Sequence, residues 1–269
     1  MVNGMKLEEY SIRKHIEALQ AQGIYVFTYR KLLEESGKTY KSIERALSRL
    51  KKDGYIVSPV KGFFVTVPIE YRTLGGPPVE WYLDELMAFL SEKYYVGLFS
   101  AAEIFGATHH HPQEIQVVCE RPRKPIHCGR TRVRFFVKRK IPDKSTMQHK
   151  TKTGYVQISN QQYTALDLIR YNSELGGLNG VVPVIAELIE VMSPIFLVHA
   201  AKHFELTVVQ RLGYILDSLG ATAFSDRLNF WLIDQRPRLT KLRSDKPSNK
   251  SEINHRWKLK LNEELDFEP

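Results

Sequence analysis

Apolar residues recur at helical spacing near residue 45. Ile43, Ala46, Leu47 and Leu50 fall on one face, and Lys41, Arg45, Ser48 and Lys52 on the other. The pattern predicts an amphipathic helix that Thr39 can cap and Gly54 closes. A shorter helix precedes it, with Thr28 as N-cap and Lys31 to Ser36 continuing it. Gly37 stops that helix, because glycine takes the left-handed conformation of a helix end without steric cost. Ile12, Ile16 and Leu19 predict a further helix from about Leu7 to Gln22, packed beneath the pair. After Gly54, Tyr55-Ile56-Val57 and Phe63 to Val67 are β-branched and aromatic, and Pro59 and Gly62 punctuate the turn between them. Helix, turn, helix and ribbon in this order make residues 1–72 a winged helix-turn-helix, a fold that reads duplex DNA.

Gly75-Gly76-Pro77-Pro78 combines backbone freedom with two fixed φ angles, so residues 73–79 read as a linker to a larger domain over 80–269. In that domain the pattern predicts a helix from Trp81 to Lys93 and a capping box at Ser100 to Glu103 opening a second. Strands are expected at Glu114–Cys119, Thr131–Lys138 and from Tyr155. Helices are expected from Thr164 to Tyr171, Val184 to Met192, Pro194 to Phe204, Val208 to Leu219 and Ser225 to Trp231. Residues 235–255 are polar, with little to bury, and read as loop. Trp257 to Leu261 alternates like an edge strand. The fold class is therefore α+β: a winged helix-turn-helix, then a mixed α/β domain with a helical C-terminal portion.

Charge changes this picture. The chain of 269 residues carries a net +9, distributed unevenly. Residues 1–72 hold +5, 73–118 hold −5, and 119–152 hold +10. The strongest positive field thus lies outside the helix-turn-helix. In Arg130-Thr-Arg-Val-Arg-Phe the arginines alternate with Thr131, Val133 and Phe135, so a strand would present Arg130, Arg132 and Arg134 on one face, with Lys138 and Arg139 following. This second basic surface suits a nucleic acid or an acidic protein; a solvated sheet face would read the same way. No apolar run approaches the roughly 20 residues of a membrane helix, no signal-peptide pattern opens the sequence, and two cysteines give no disulfide framework, as expected of a cytoplasmic protein.

Within the predicted helix-turn-helix, Lys41, Ser42, Arg45 and Arg49 are candidates for groove contacts. Arg45 is the one for a base edge, since guanidinium pairs in bidentate fashion with guanine. Lys38, Thr39, Lys52 and Lys61 are candidates for phosphate contacts, which position without reading sequence. Enzyme chemistry finds no motif. His109-His110-His111 cannot all face one metal and has no partner motif nearby, so no metal or cofactor is expected. Gly176 to Gly180 lacks the Lys-Ser/Thr of a phosphate loop and reads as a helix–helix connection.

The order of Phe99-Ser-Ala-Ala-Glu-Ile-Phe-Gly-Ala, Tyr163-Thr-Ala-Leu-Asp-Leu-Ile-Arg-Tyr, Val209-Gln-Arg-Leu-Gly-Tyr-Ile-Leu-Asp and Arg256-Trp-Lys-Leu-Lys-Leu-Asn resembles the AbiE-type abortive-infection antitoxins of type IV toxin–antitoxin systems. The resemblance implies a bacterial, non-enzymatic protein that represses its own operon by binding inverted repeats in double-stranded DNA. It also implies a nucleotidyltransferase-like toxin as functional partner, neutralised without need of a stable complex. It carries the DNA-reading role onto Thr39, Lys41, Ser42, Arg45 and Arg49. A ligand-sensing winged-helix transcription factor and a DNA-targeted enzyme are the alternatives.

Overall fold

The computed structural model describes residues 2–107 and 114–267. Its elements follow in the order α1 (Val2–Ala21), β1 (Val26–Thr28), α2 (Tyr29–Ser36), α3 (Tyr40–Lys52), β2 (Ile56–Val60), β3 (Phe63–Thr66), α4 (Leu83–Phe89), β4 (Tyr94–Val96) and α5 (Leu98–Ile104). Then come β5 (Glu114–Cys119), β6 (Ile126–Cys128), β7 (Thr131–Val137), β8 (Thr146–Lys150), β9 (Tyr155–Ser159), α6 (Gln161–Arg170) and α7 (Leu178–Ile189). The chain closes with α8 (Pro194–Ala201), α9 (Leu206–Ser218), α10 (Thr222–Asp234), β10 (Thr240–Lys241), β11 (Glu252–Asn254) and β12 (Leu259–Leu261). This is a mixed α+β protein with three sheets among the described residues, ordered β1-β3-β2, β6-β7-β5-β4-β9-β8 and β10-β12-β11.

The chain forms two compact units: Met1–Tyr95, Gln113–Ile141 and Gln148–Gln157 in the first, and Val96–Pro112, Pro142–Met147 and Ile158–Pro269 in the second. Charge separates with them. The first holds 25 of the 39 basic and 14 of the 30 acidic residues, a net +11, which leaves −2 for the second.

In the first unit, Ile12, Ile16, Leu32, Ile43, Leu47, Leu50 and Ile56 build one apolar cluster from α1, α2, α3 and β2. The expected ribbon is present as β2 and β3. A third strand, β1, pairs antiparallel with β3, a strand too short to declare itself by alternation. Phe63, which opens β3, is buried, and its ring lies 5.4 Å from that of Phe89. Residues 73–79, expected as a linker, belong to this unit, with Gly76, Pro77 and Val79 buried. Gly75 meets Gly129, where a side chain on either would overlap the other's backbone, and the Arg130 amide donates to the Leu74 carbonyl at 3.0 Å. The helix expected from Trp81 to Lys93 is a short 3-10 turn, Val79–Trp81, and then α4.

In the second unit, α5 opens at Leu98 after Gly97, so Ser100 is a buried helix residue and no capping box forms there. Helix α7 starts at Leu178, inside the expected glycine connection, and contains Pro183. The polar stretch 235–255 is not a bare loop: it supplies β10 and β11, which flank β12. Strand β12 is therefore central rather than an edge. Polar pairing substitutes for apolar burial here, because Arg243 pairs with Asp245 at 2.7 Å and with Glu263 at 3.0 Å, and Lys246 with Glu263 at 2.9 Å. The buried Gln210 carboxamide adds bonds to the carbonyls of Arg238 and Trp257, both at 2.9 Å.

Candidate nucleic-acid interface

Helix α2 begins where its sequence asks it to. The Thr28 hydroxyl accepts from the Lys31 amide at 3.2 Å, and Gly37 ends the helix in the left-handed region at φ 61°. Thr39 takes the N-cap position of α3 with extended backbone but makes no side-chain cap bond. One tie between the helices escapes the sequence pattern: the Tyr29 hydroxyl donates to the Tyr40 carbonyl at 2.6 Å. Burial raises the Tyr29 pKa, which keeps that proton in place.

Ile43, Ala46, Leu47 and Leu50 form the buried stripe of α3. On the other face Thr39, Lys41, Arg45, Ser48 and Lys52 are exposed, with Ser42 and Arg49 half-buried. Lys38 is half-buried before the helix, and Lys61 is exposed beside Gly62 in the β2–β3 turn. The neighbouring α2 neutralises its cations locally, Arg30 with Glu34 at 2.9 Å and Lys31 with Glu35 at 3.8 Å. By contrast, Lys38, Lys41, Arg45, Lys52 and Lys61 form no ion pair with any described residue. Glu44 is the one exposed carboxylate among the helical residues of α3, so the face keeps a positive excess. Four exposed residues on this helix fall outside the candidate contact set, Tyr40, Glu44, Ser48 and Lys51.

The second basic segment is arranged differently from its expectation. Arg130 lies before β7, which starts at Thr131. Arg132 and Arg134 are in the strand, opposite Glu114 and Gln116 of the parallel neighbour β5. Both reach the same carboxylate: Arg132 Nε lies 3.5 Å and Arg134 Nη1 3.4 Å from Glu114. Arg134 also covers the Phe136 ring at 4.8 Å. Lys138 is buried at 3 % exposure and is not on any surface; its amide continues the pairing by donating to the Cys119 carbonyl at 2.9 Å. Arg130, Arg132 and Arg139 remain exposed. So the strand presents a smaller and partly neutralised positive surface, in the same unit as α3.

Among the described residues, no group of three or more His, Cys, Asp or Glu could hold a metal, and no helix is long and apolar enough to cross a membrane. His109, His110 and His111 lie outside the described residues. Cys119 and Cys128 are free and buried, and burial pushes both thiols up, Cys119 to about 11. Neither is a ready nucleophile at neutral pH.

Residues 95–218 match the family described as AbiEi antitoxin C-terminal domain. No curated protein matches the chain. Among solved structures, the chain is similar to the RV2827C protein from Mycobacterium tuberculosis. That likeness has a TM-score of 0.67 at 16% identity and covers 93% of this chain and 90% of that one, which speaks for a shared fold alone.

Proposed function

We propose that this chain, which belongs to the AbiE-type antitoxin family through its residues 95–218, couples an antitoxin domain to a winged helix-turn-helix that binds operator DNA and represses its own operon. The observation that carries the DNA-binding half is α3, whose buried stripe fixes it to the three-helix core while its opposite face holds out Lys41, Arg45 and Lys52, none of them ion-paired with a described residue. Such a helix enters the major groove, where Arg45 reads a base edge and Lys41, Ser42 and Arg49 flank it. Lys38, Thr39, Lys52 and Lys61 meet phosphates. Arg130, Arg132 and Arg139, in the same positively charged unit, extend the electrostatic attraction beyond the helix.

The functional partner is a nucleotidyltransferase-like toxin, and neutralising it is assigned to the domain of residues 95–218. Co-expression with a nucleotidyltransferase-like protein encoded beside this chain tests the antitoxin half: growth is restored by the full chain. Growth that stays arrested, with both proteins made, overturns it.

A ligand-sensing transcription factor is the second reading, and one observation favours it: a cavity in the second unit beside α6 and α8. The readings separate on the toxin, since a sensor without an antitoxin role leaves growth arrested.

A further inference from the structure

The cavity has a volume of about 720 Å³ and is walled by Lys144 in the turn before β8, the start of α6, the α7–α8 connection, and α8 with the residues just after it. That size falls within the roughly 300–1,000 Å³ of small-molecule sites. Its lining includes Lys144, Gln162, Tyr163, Phe196, His199 and Lys202.

Five features of this lining point the same way. Lys144 and Lys202 are exposed, and neither forms an ion pair with a described residue. None of the lining residues is a carboxylate, although the unit as a whole is slightly acidic. An adjacent groove of about 590 Å³, which shares His199, carries Asp226 and Asp234, so the exclusion of acids is particular to this cavity. Gln162 is 5 % exposed, yet its carboxamide has no hydrogen-bond partner among the described residues and lines the cavity. Its amide oxygen and nitrogen are thus available to bond a ligand in the cavity. Gln162 is also the second residue of a ten-residue helix, whose first backbone N–H groups have no intrahelical partner. Asn160 satisfies one of them, accepting from the Tyr163 amide at 3.0 Å; the Gln161 and Gln162 amides have no partner among the described residues, and both residues line the cavity. Finally, Phe196 is 64 % exposed on the rim, a ring face with nothing in this unit to cover it.

We infer that this cavity binds a nucleotide, with phosphates on Lys144, Lys202 and the α6 N-terminus, the Gln162 carboxamide bonded to the ligand, and the base against Phe196. Two separated ammonium groups suit a polyphosphate better than a single phosphate. An aromatic ring and carboxamides suit the face and edge of a base. The inference does not rest on the DNA-binding reading, whose residues lie in the other unit.

Titration calorimetry on the full chain tests it, with the four ribonucleoside triphosphates, inorganic tripolyphosphate and adenosine as separate probes. At least one triphosphate binds with 1:1 stoichiometry, and Lys144→Ala with Lys202→Ala weakens it about tenfold or more. Gln162→Leu weakens the same nucleotide severalfold, with melting temperature measured in parallel. Arg238→Ala, an exposed cation away from the cavity, leaves it unchanged. Three results overturn the inference: no triphosphate binding at millimolar concentration, binding unmoved by the double lysine variant, or adenosine binding as tightly as its triphosphate. Tripolyphosphate binding as tightly as every nucleotide removes the base from the assignment and overturns the nucleotide class. If Gln162→Leu does not fold, the exposed lysines still decide.

Discussion

The indole Nε1 of Trp257 donates to the Asp217 carboxylate at 2.6 Å, while its ring lies against Gly213. Both partners are in α9, within the matched family region, whereas Trp257 lies beyond it. The contact therefore ties the C-terminal three-stranded sheet to the helical part of the second unit. A Cβ at Gly213 would overlap the Trp257 ring, so Gly213→Ala is expected to cost about 1–3 kcal/mol by overpacking. Trp257→Phe removes the hydrogen bond and leaves Asp217 to Arg256 alone, an expected loss of about 1–3 kcal/mol. Denaturant midpoints measured on both variants check these values.

Phosphate contacts and base contacts separate by their salt dependence. Lys52→Ala and Lys61→Ala are each expected to weaken operator and random DNA alike, and to lower the slope of log K against log salt by about 1. Arg45→Ala is expected instead to relax preference at one base pair by about 1–3 kcal/mol. Competition binding with a set of single-base operator variants, at several salt concentrations, distinguishes the two.

Because one carboxylate serves both Arg132 and Arg134, removing it tests whether the strand takes part in polyanion binding. Glu114→Gln is expected to raise DNA affinity severalfold at low salt, with the gain fading as salt rises. Arg130, Arg132 and Arg134 changed together to Glu are expected to weaken operator affinity or toxin neutralisation. Both surviving intact would make this strand a solvated sheet face.

Burial holds the Cys119 thiol protonated until about pH 11 in the folded protein, whereas the unfolded thiol titrates near its ordinary 9. The folded state thus binds that proton more tightly. Its contribution to stability is complete below pH 9 and is lost as pH rises toward 11. Alkylation of the native protein with iodoacetamide at pH 8 is expected to be slow, becoming fast only in denaturant. Rapid native labelling of Cys119 would contradict the burial argument.

Legibility in the sequence followed the strength of the local period. Helix α3 was readable because four apolar residues at helical spacing alternate with cations, and the same stripe is the one buried. Strand β5 matches its expected bounds, Glu114–Cys119, because Ile115, Val117, Val118 and Cys119 give a short, β-branched apolar stretch between Glu114 and Glu120. Lys138 departs from its expected surface position because charge alone does not fix exposure: its amide carries the pairing with β5 one residue beyond β7, and its side chain is buried. The C-terminal sheet was only partly visible. Its strands are two or three residues long, and what orders it is side-chain pairing by Arg243, Glu263 and Gln210, which leaves no periodic trace. The cavity beside α6 was invisible for a related reason: Lys144, Gln162 and Lys202 are remote in sequence and meet only through the fold.

The central claim, that α3 carries DNA recognition for an autorepressor, is tested most directly by binding of the full chain to the DNA upstream of its own reading frame. The wild-type chain is expected to bind that DNA in preference to random duplex, and the Lys41→Ala, Arg45→Ala, Arg49→Ala triple variant to lose the preference while keeping its melting temperature. Unchanged, sequence-selective binding by a folded triple variant would contradict the claim.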